Sequence, residues 1–260
     1  WAAGMNLFDA VGHSFSTVAI GGYSTYDASI GHFDNALISI ICAVFILLAG
    51  LNFAMHFVAW RTRSLGQYLQ DTEVRWFLGI MATLIVVVAA TLMATGHGLG
   101  HSVHHGIFQS VSIASTAGFA STEFSEWPLF LPVLLIMAAF IGGCAGSTGG
   151  GIKVVRFVLL LKQGYREMIR LVHPQAQVQV KMGHRAVGER IMAAVWGFFA
   201  AYMALFAVMM LVLMGTGLDQ VTAFSAVAAT MTNLGPGLGG VAEGFGDLGT
   251  VAKWVLMFAM

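Results

Sequence analysis

This sequence has little charge. Of 260 residues, 12 are Lys or Arg and 12 are Asp or Glu, 9% in all against 58% hydrophobic. Mean hydropathy is +0.81, far above the balance of apolar and charged residues in a soluble domain. The formal net charge is zero, so no field draws the chain to nucleic acid and none is expected as a partner. Cysteine is nearly absent too. Cys42 and Cys144 lie in apolar or glycine-rich surroundings with no metal-ligand spacing, which fits small buried thiols better than a disulfide or a metal site. No Ser-His-Asp set or carboxylate pair stands out in the apolar runs, so neither an enzyme nor an organic cofactor is expected. No signal peptide opens the chain, and Trp1-Ala2-Ala3-Gly4 reads as a start within a longer protein. The surroundings left to such a chain are a bilayer, with lipid as its first partner.

Three small-residue turns organise the apolar remainder. They are Ser16-Thr17-Val18-Ala19-Ile20-Gly21-Gly22-Tyr23-Ser24-Thr25, Ser115-Thr116-Ala117-Gly118-Phe119 and Thr230-Met231-Thr232-Asn233-Leu234-Gly235-Pro236-Gly237. Each follows a short amphipathic stretch with an aromatic near its start (Phe8, Phe108, Phe224), and an apolar run comes after it. With Gly22, Gly118 and Gly235 in register the intervals are 96 and 117 residues, the scale of a repeated subdomain and not of a solenoid unit. The short stretches are read as helices over 6–19, 106–115 and 219–231. Each is too short for a hydrocarbon core of about 30 Å, so each must enter the membrane and turn back. Backbone exposed at such a turn is tolerable only where protein buries it or water reaches it.

Full spans are expected over 36–60, 76–95 and 191–214, with a last apolar run from 251 to 260. The run from Pro128 to Ile141 breaks at Gly142, Gly143, Cys144, Ala145, Gly146, Ser147, Thr148, Gly149, Gly150 and Gly151, then resumes from Ile152 to Leu161. Six glycines in ten residues cannot hold a helix at about 1 kcal/mol lost per glycine relative to alanine. A loop at membrane depth is the consequence. His97, His101, His104 and His105 invite a metal reading, but no Cys or carboxylate joins them at ligand spacing, and a wet outward turn is the plainer expectation.

Charge sets the orientation. All Lys and Arg residues except Lys253 lie within 61–75 and 153–190, which the positive-inside rule makes cytoplasmic. Asp27, Asp34, Glu123, Glu126, Asp219, Glu243 and Asp247 flank the short helices, so the turns face outward inside an acidic rim that concentrates cations. Three helices ending at one point would aim about half a negative elementary charge each at it. Glycine turns let successive carbonyls face one way and replace the water around an ion. The candidate ion-binding residues are Ile20, Gly21 and Gly22, Thr116, Ala117 and Gly118, and Asn233, Leu234 and Gly235, with potassium as the ion. The candidate gate is Gly142, Gly143, Gly146, Ser147, Thr148, Gly149, Gly150 and Gly151, where little side-chain bulk opposes movement.

These turns, with the broken helix from Gly142 to Lys153, resemble the membrane subunit of the Trk/Ktr/HKT superfamily of potassium transporters, in its bacterial TrkH form. The resemblance implies an all-α membrane protein of repeated span, pore loop and span units around a pseudo-fourfold pore. Residues 1–70 then match the second repeat, 71–187 the third, with the broken span, and 188–260 a truncated fourth, leaving the first repeat and the last helix outside this sequence. It further implies potassium uptake in the bacterial inner membrane, a homodimer, and a cytoplasmic nucleotide-binding partner of the TrkA type. Residues 61–75 and 162–190 could serve that docking or simply face lipid headgroups. Two rivals stay open. One is an alternating-access cation transporter whose broken helix carries the substrate. The other is a membrane enzyme holding phosphate on Gly146-Ser147-Thr148-Gly149-Gly150-Gly151-Ile152-Lys153, although Val154 follows the lysine where a Walker loop needs Ser or Thr.

Overall fold

The computed structural model describes residues 1–183, 185–242 and 244–260. Three short helices end at the three turns. Helix α1 (Leu7–Val18) starts where the Asn6 side chain accepts the amide of Asp9, and α10 (Gln220–Met231) starts where Asp219 accepts the amide of Thr222. Both are caps that satisfy an orphan donor of the first turn. Helix α6 is Leu99–Ala114. At 1.5 Å per residue the three measure about 18 to 24 Å, short of the membrane's width. Helix α6 starts well before residue 106. His101, His104 and His105 therefore lie on helix and not in the expected turn. Histidine does not break a helix, and the four-residue spacing lets the His101 and His105 rings approach to 4.3 Å.

Two helices, α5 (Thr72–Ala94) and α9 (Glu189–Gly215), are long and apolar enough to cross a membrane. The span expected over 36–60 is instead two helices, α2 (Ala36–Ala49) and α3 (Phe53–Thr62), bent by 92°. Hydrophobicity alone favours a straight run, but tertiary partners take the backbone at the break. The carbonyl of Gly50 accepts the amide of Cys144 at 2.9 Å, and Phe53 donates to the carbonyl of Gly146 at 3.0 Å. The Asn52 side chain then caps α3 by accepting the amide of Ala54. A five-residue helix, α4 (Gly66–Gln70), leads into α5.

Helices α7 (Leu131–Ile141) and α8 (Val154–Val172) flank the glycine loop. Helix α8 runs on past Leu161, so the basic stretch expected from 162 begins inside it. Helix α11 is Thr250–Ala259. Among the described residues the strand content is one two-residue pair, Lys181–Met182 against Arg185–Ala186, and the chain is otherwise the helical membrane protein expected. Three buried clusters hold the helices together. One joins α5, α6, α7 and α9 to α11 through residues such as Leu135, Leu213 and Val227. A second packs α1 and α2 on α6 around Ile46 and Phe108. The third sets Phe77, Met81, Cys144 and Val158 around the glycine loop. Large apolar side chains such as Val86, Val208 and Leu211 stay exposed, as lipid-facing residues do.

Candidate functional site

The three turns share one backbone plan. Gly21 donates to the carbonyl of Ser16 at 2.8 Å, Ala117 to Ser112 at 2.7 Å and Leu234 to Ala229 at 2.7 Å. In each the residue two before the shared glycine has positive φ: 52° at Ile20, 70° at Thr116 and 58° at Asn233. The glycines follow at 66°, 77° and 100°. Left-handed backbone costs a residue with a Cβ about 1 to 2 kcal/mol, and here it recurs at the same place in three unlike sequences. Positive φ at alternate residues undoes the alternation of a strand and lets successive carbonyls share a side.

The turns also lie against one another in chain order. A methyl group on Gly22 would collide with the carbonyl oxygen of Ala117, and one on Gly118 with that of Leu234. Gly21, Gly22, Gly118, Asn233, Leu234 and Gly235 border one cavity of ≈ 520 Å³. Ile20, Thr116 and Ala117 are buried and do not line it.

Side chains of the short helices brace the returning strands. His13 Nδ1 lies 2.8 Å from the carbonyl of Asp9 and must donate to it, which leaves Nε2 to accept from Ser24 Oγ at 2.9 Å in the neutral ring. Asp9 accepts from Thr25 Oγ1 at 2.6 Å, Tyr26 Oη at 3.0 Å and Asn6 Nδ2 at 2.6 Å. That bond to Asp9 raises the pKa of the Tyr26 hydroxyl above its ordinary value. Gln109 donates to the carbonyl of Thr122 at 2.6 Å and Ser112 to that of Phe119 at 2.7 Å. In the third turn Ser225 donates to Leu238 and accepts its amide, both at 2.9 Å. None of these braces was singled out from the sequence. His13 and Gln109 both stand nine places before their glycines, which was the available signal. Around the turns Asp27, Asp34, Glu123, Glu126, Asp219 and Asp247 are exposed, while Glu243 lies outside the described residues.

The glycine loop meets the C-terminal ends of all three short helices. Thr148 Oγ1 donates to the carbonyl of Val18 at 3.0 Å, and the Gly150 amide donates to Thr116 Oγ1 at 2.6 Å. A methyl group on Gly150 would overlap the carbonyl oxygen of Thr232, and one on Gly149 would stand 2.8 Å from that of Ser115. Inside the loop Ser147 Oγ donates to Cys144 at 2.6 Å, and the ammonium of Lys153 donates to the carbonyls of Ser147 and Gly149. Val154 donates to Gly143 at 3.0 Å, while Gly142 and Gly151 pack against each other. The carboxylate of Glu73 accepts from Ala145 at 2.6 Å and from Val155 at 3.2 Å. A negative group thus already occupies the N-terminus of α8, which disfavours a phosphate there.

Residues 1–260 match the TrkH family, described as cation transport protein. The chain is 54% identical over 260 residues to the Trk system potassium uptake protein TrkH of Halomonas elongata, covering 100% of this chain and 54% of that protein. It is 53% identical over 264 residues to the Trk system potassium uptake protein TrkH of Escherichia coli K12, with the same coverage. The crystal structure of the potassium transporter TrkH from Vibrio parahaemolyticus superposes with a TM-score of 0.96 at 52% identity, over 100% of this chain and 56% of that one. The chain spans about half the length of the curated relatives it matches.

Proposed function

Because this chain belongs to the TrkH family of cation transport proteins, we propose that it supplies three of the strands around a potassium uptake pore. The observation that carries the proposal is the repeated geometry of Ile20-Gly21-Gly22, Thr116-Ala117-Gly118 and Asn233-Leu234-Gly235, whose turns lie against one another in chain order and bring Gly21, Gly22, Gly118, Asn233, Leu234 and Gly235 to one cavity. Their main-chain oxygens replace the water of a monovalent cation, and the C-terminal ends of α1, α6 and α10 add negative potential below it. No ionisable side chain is needed at the binding point. The acidic rim gathers cations at the entrance. Potassium is the ion because the relatives are named as potassium uptake proteins.

Beneath the turns the glycine loop acts as the barrier. It touches all three short helices and carries small residues at Gly142, Gly143, Gly146, Ser147, Thr148, Gly149, Gly150 and Gly151, so its displacement needs little side-chain rearrangement. In the whole protein a fourth strand completes the ring. Two copies associate, and a cytoplasmic nucleotide-binding subunit of the TrkA type docks on the basic side. Ion-density maps of the full-length protein in potassium and in sodium test the reading. Potassium density at the height of Gly22, Gly118 and Gly235, lost or moved in sodium, supports it. Density lying elsewhere, or identical for both ions, overturns it.

A further inference from the structure

We propose that Glu73 is the positioning residue of the glycine loop, its carboxylate tying the loop's interior to the helix that follows. One oxygen accepts from Ala145, within the loop, and from Val155, in the first turn of α8. Both donors need that partner. The first turn of an α-helix has unpaired N–H groups, and Lys153 at the N-cap of α8 makes no side-chain capping bond. Glu73 comes from a different element, the first turn of α5, where an acid is commonly explained by the helix's own dipole. That explanation is insufficient here. Asp71 already caps α5 by accepting the amide of Val74 at 2.9 Å, so Glu73 is free to reach across, and the shared oxygen on two tertiary donors shows where it is engaged.

Lys153 binds loop carbonyls and Glu73 binds the loop amide of Ala145 and the α8 amide of Val155, so a cation and an anion hold opposite polarities of one backbone. Cys144 sits next to Ala145 and is fully buried, with its amide on Gly50. Loosening the Glu73 tie would uncover it.

The inference rests on the loop being the barrier only for its transport consequence, and the test separates the two. In the full-length protein with its other cysteines replaced, Glu73→Ala should speed modification of Cys144 by a charged thiol reagent by roughly tenfold or more, because two donors lose their acceptor and the loop opens locally more often. Glu73→Gln keeps an amide oxygen that both donors can use, and should retain most of the protection. Glu73→Asp, too short to reach both donors, should behave like Glu73→Ala and serves if the alanine variant does not fold. Cys144 labelling at the wild-type rate in folded Glu73→Ala or Glu73→Asp protein, or equal acceleration by Gln and Ala, overturns the inference. Potassium flux is read on the same proteins. Faster labelling with faster flux supports both the tie and the barrier, whereas faster labelling with unchanged flux keeps the tie and rejects the barrier.

Discussion

The hydroxyl oxygen of Thr116 accepts the amide of Gly150 at 2.6 Å, so the turn at the end of α6 and the glycine loop share a hydrogen bond. A residue in the proposed ion ring therefore also holds the proposed barrier. Thr116→Val keeps the side-chain volume and removes the acceptor. Leaving a part-buried donor unpaired costs about 1 to 3 kcal/mol. The expected result is a rise in basal flux together with a changed potassium-to-sodium permeability ratio, both restored in Thr116→Ser. A valine variant with wild-type flux and ratio would show that the bond couples nothing.

Gly118 has φ 77° and no room for a Cβ beside the Leu234 carbonyl. A side chain there must displace the neighbouring turn or twist its own carbonyl out of line. Gly118→Ser is accordingly expected to lower the preference for potassium over sodium, measured as permeability ratios in the full-length protein. Unchanged ratios would remove Gly118 from the ion path.

The loop makes its own prediction. Deleting several glycines between 142 and 151 takes away backbone that lies against Ser115, Thr116 and Thr232. If that backbone obstructs ions, the deletion variant should carry a higher unregulated rubidium uptake than the parent protein. A variant that folds and transports no faster counts against gating.

The parts of this molecule legible in its sequence are those governed by local chemistry. Glycine and small residues after an amphipathic stretch marked the turns at Gly22, Gly118 and Gly235, because positive φ is a local demand. The break between Ile141 and Lys153 was legible for the same reason. The bend after Ala49 was not. Residues 36–60 are apolar almost throughout, and what turns the chain there is a pair of bonds to Cys144 and Gly146, almost a hundred residues away. Gly50 and Asn52 were hints that a hydropathy reading passes over. The helix through His101, His104 and His105 was hidden by the opposite bias, since a polar run between apolar ones looks like a turn. The braces His13, Gln109 and Asp9 are polar residues on short helices whose partners become visible only once each strand returns along its helix.

Asp9 offers the sharpest check on that bracing. Its carboxylate collects Thr25, Tyr26 and Asn6, so it ties the segment leaving the first turn to the start of α1. Tyr26→Phe removes one of these bonds and should lower the unfolding temperature slightly. Asp9→Ala strands three donors at once and should lower it further. If the network sets the position of the Gly22 carbonyl, Asp9→Ala should also lower the potassium-to-sodium permeability ratio, with Asp9→Asn between it and wild type because an amide oxygen still accepts. Thermal unfolding and permeability ratios, taken on the same variants, separate the two roles. A loss of stability in Asp9→Ala with the ratio intact would leave Asp9 a fastening of the outer rim that does not reach the ion.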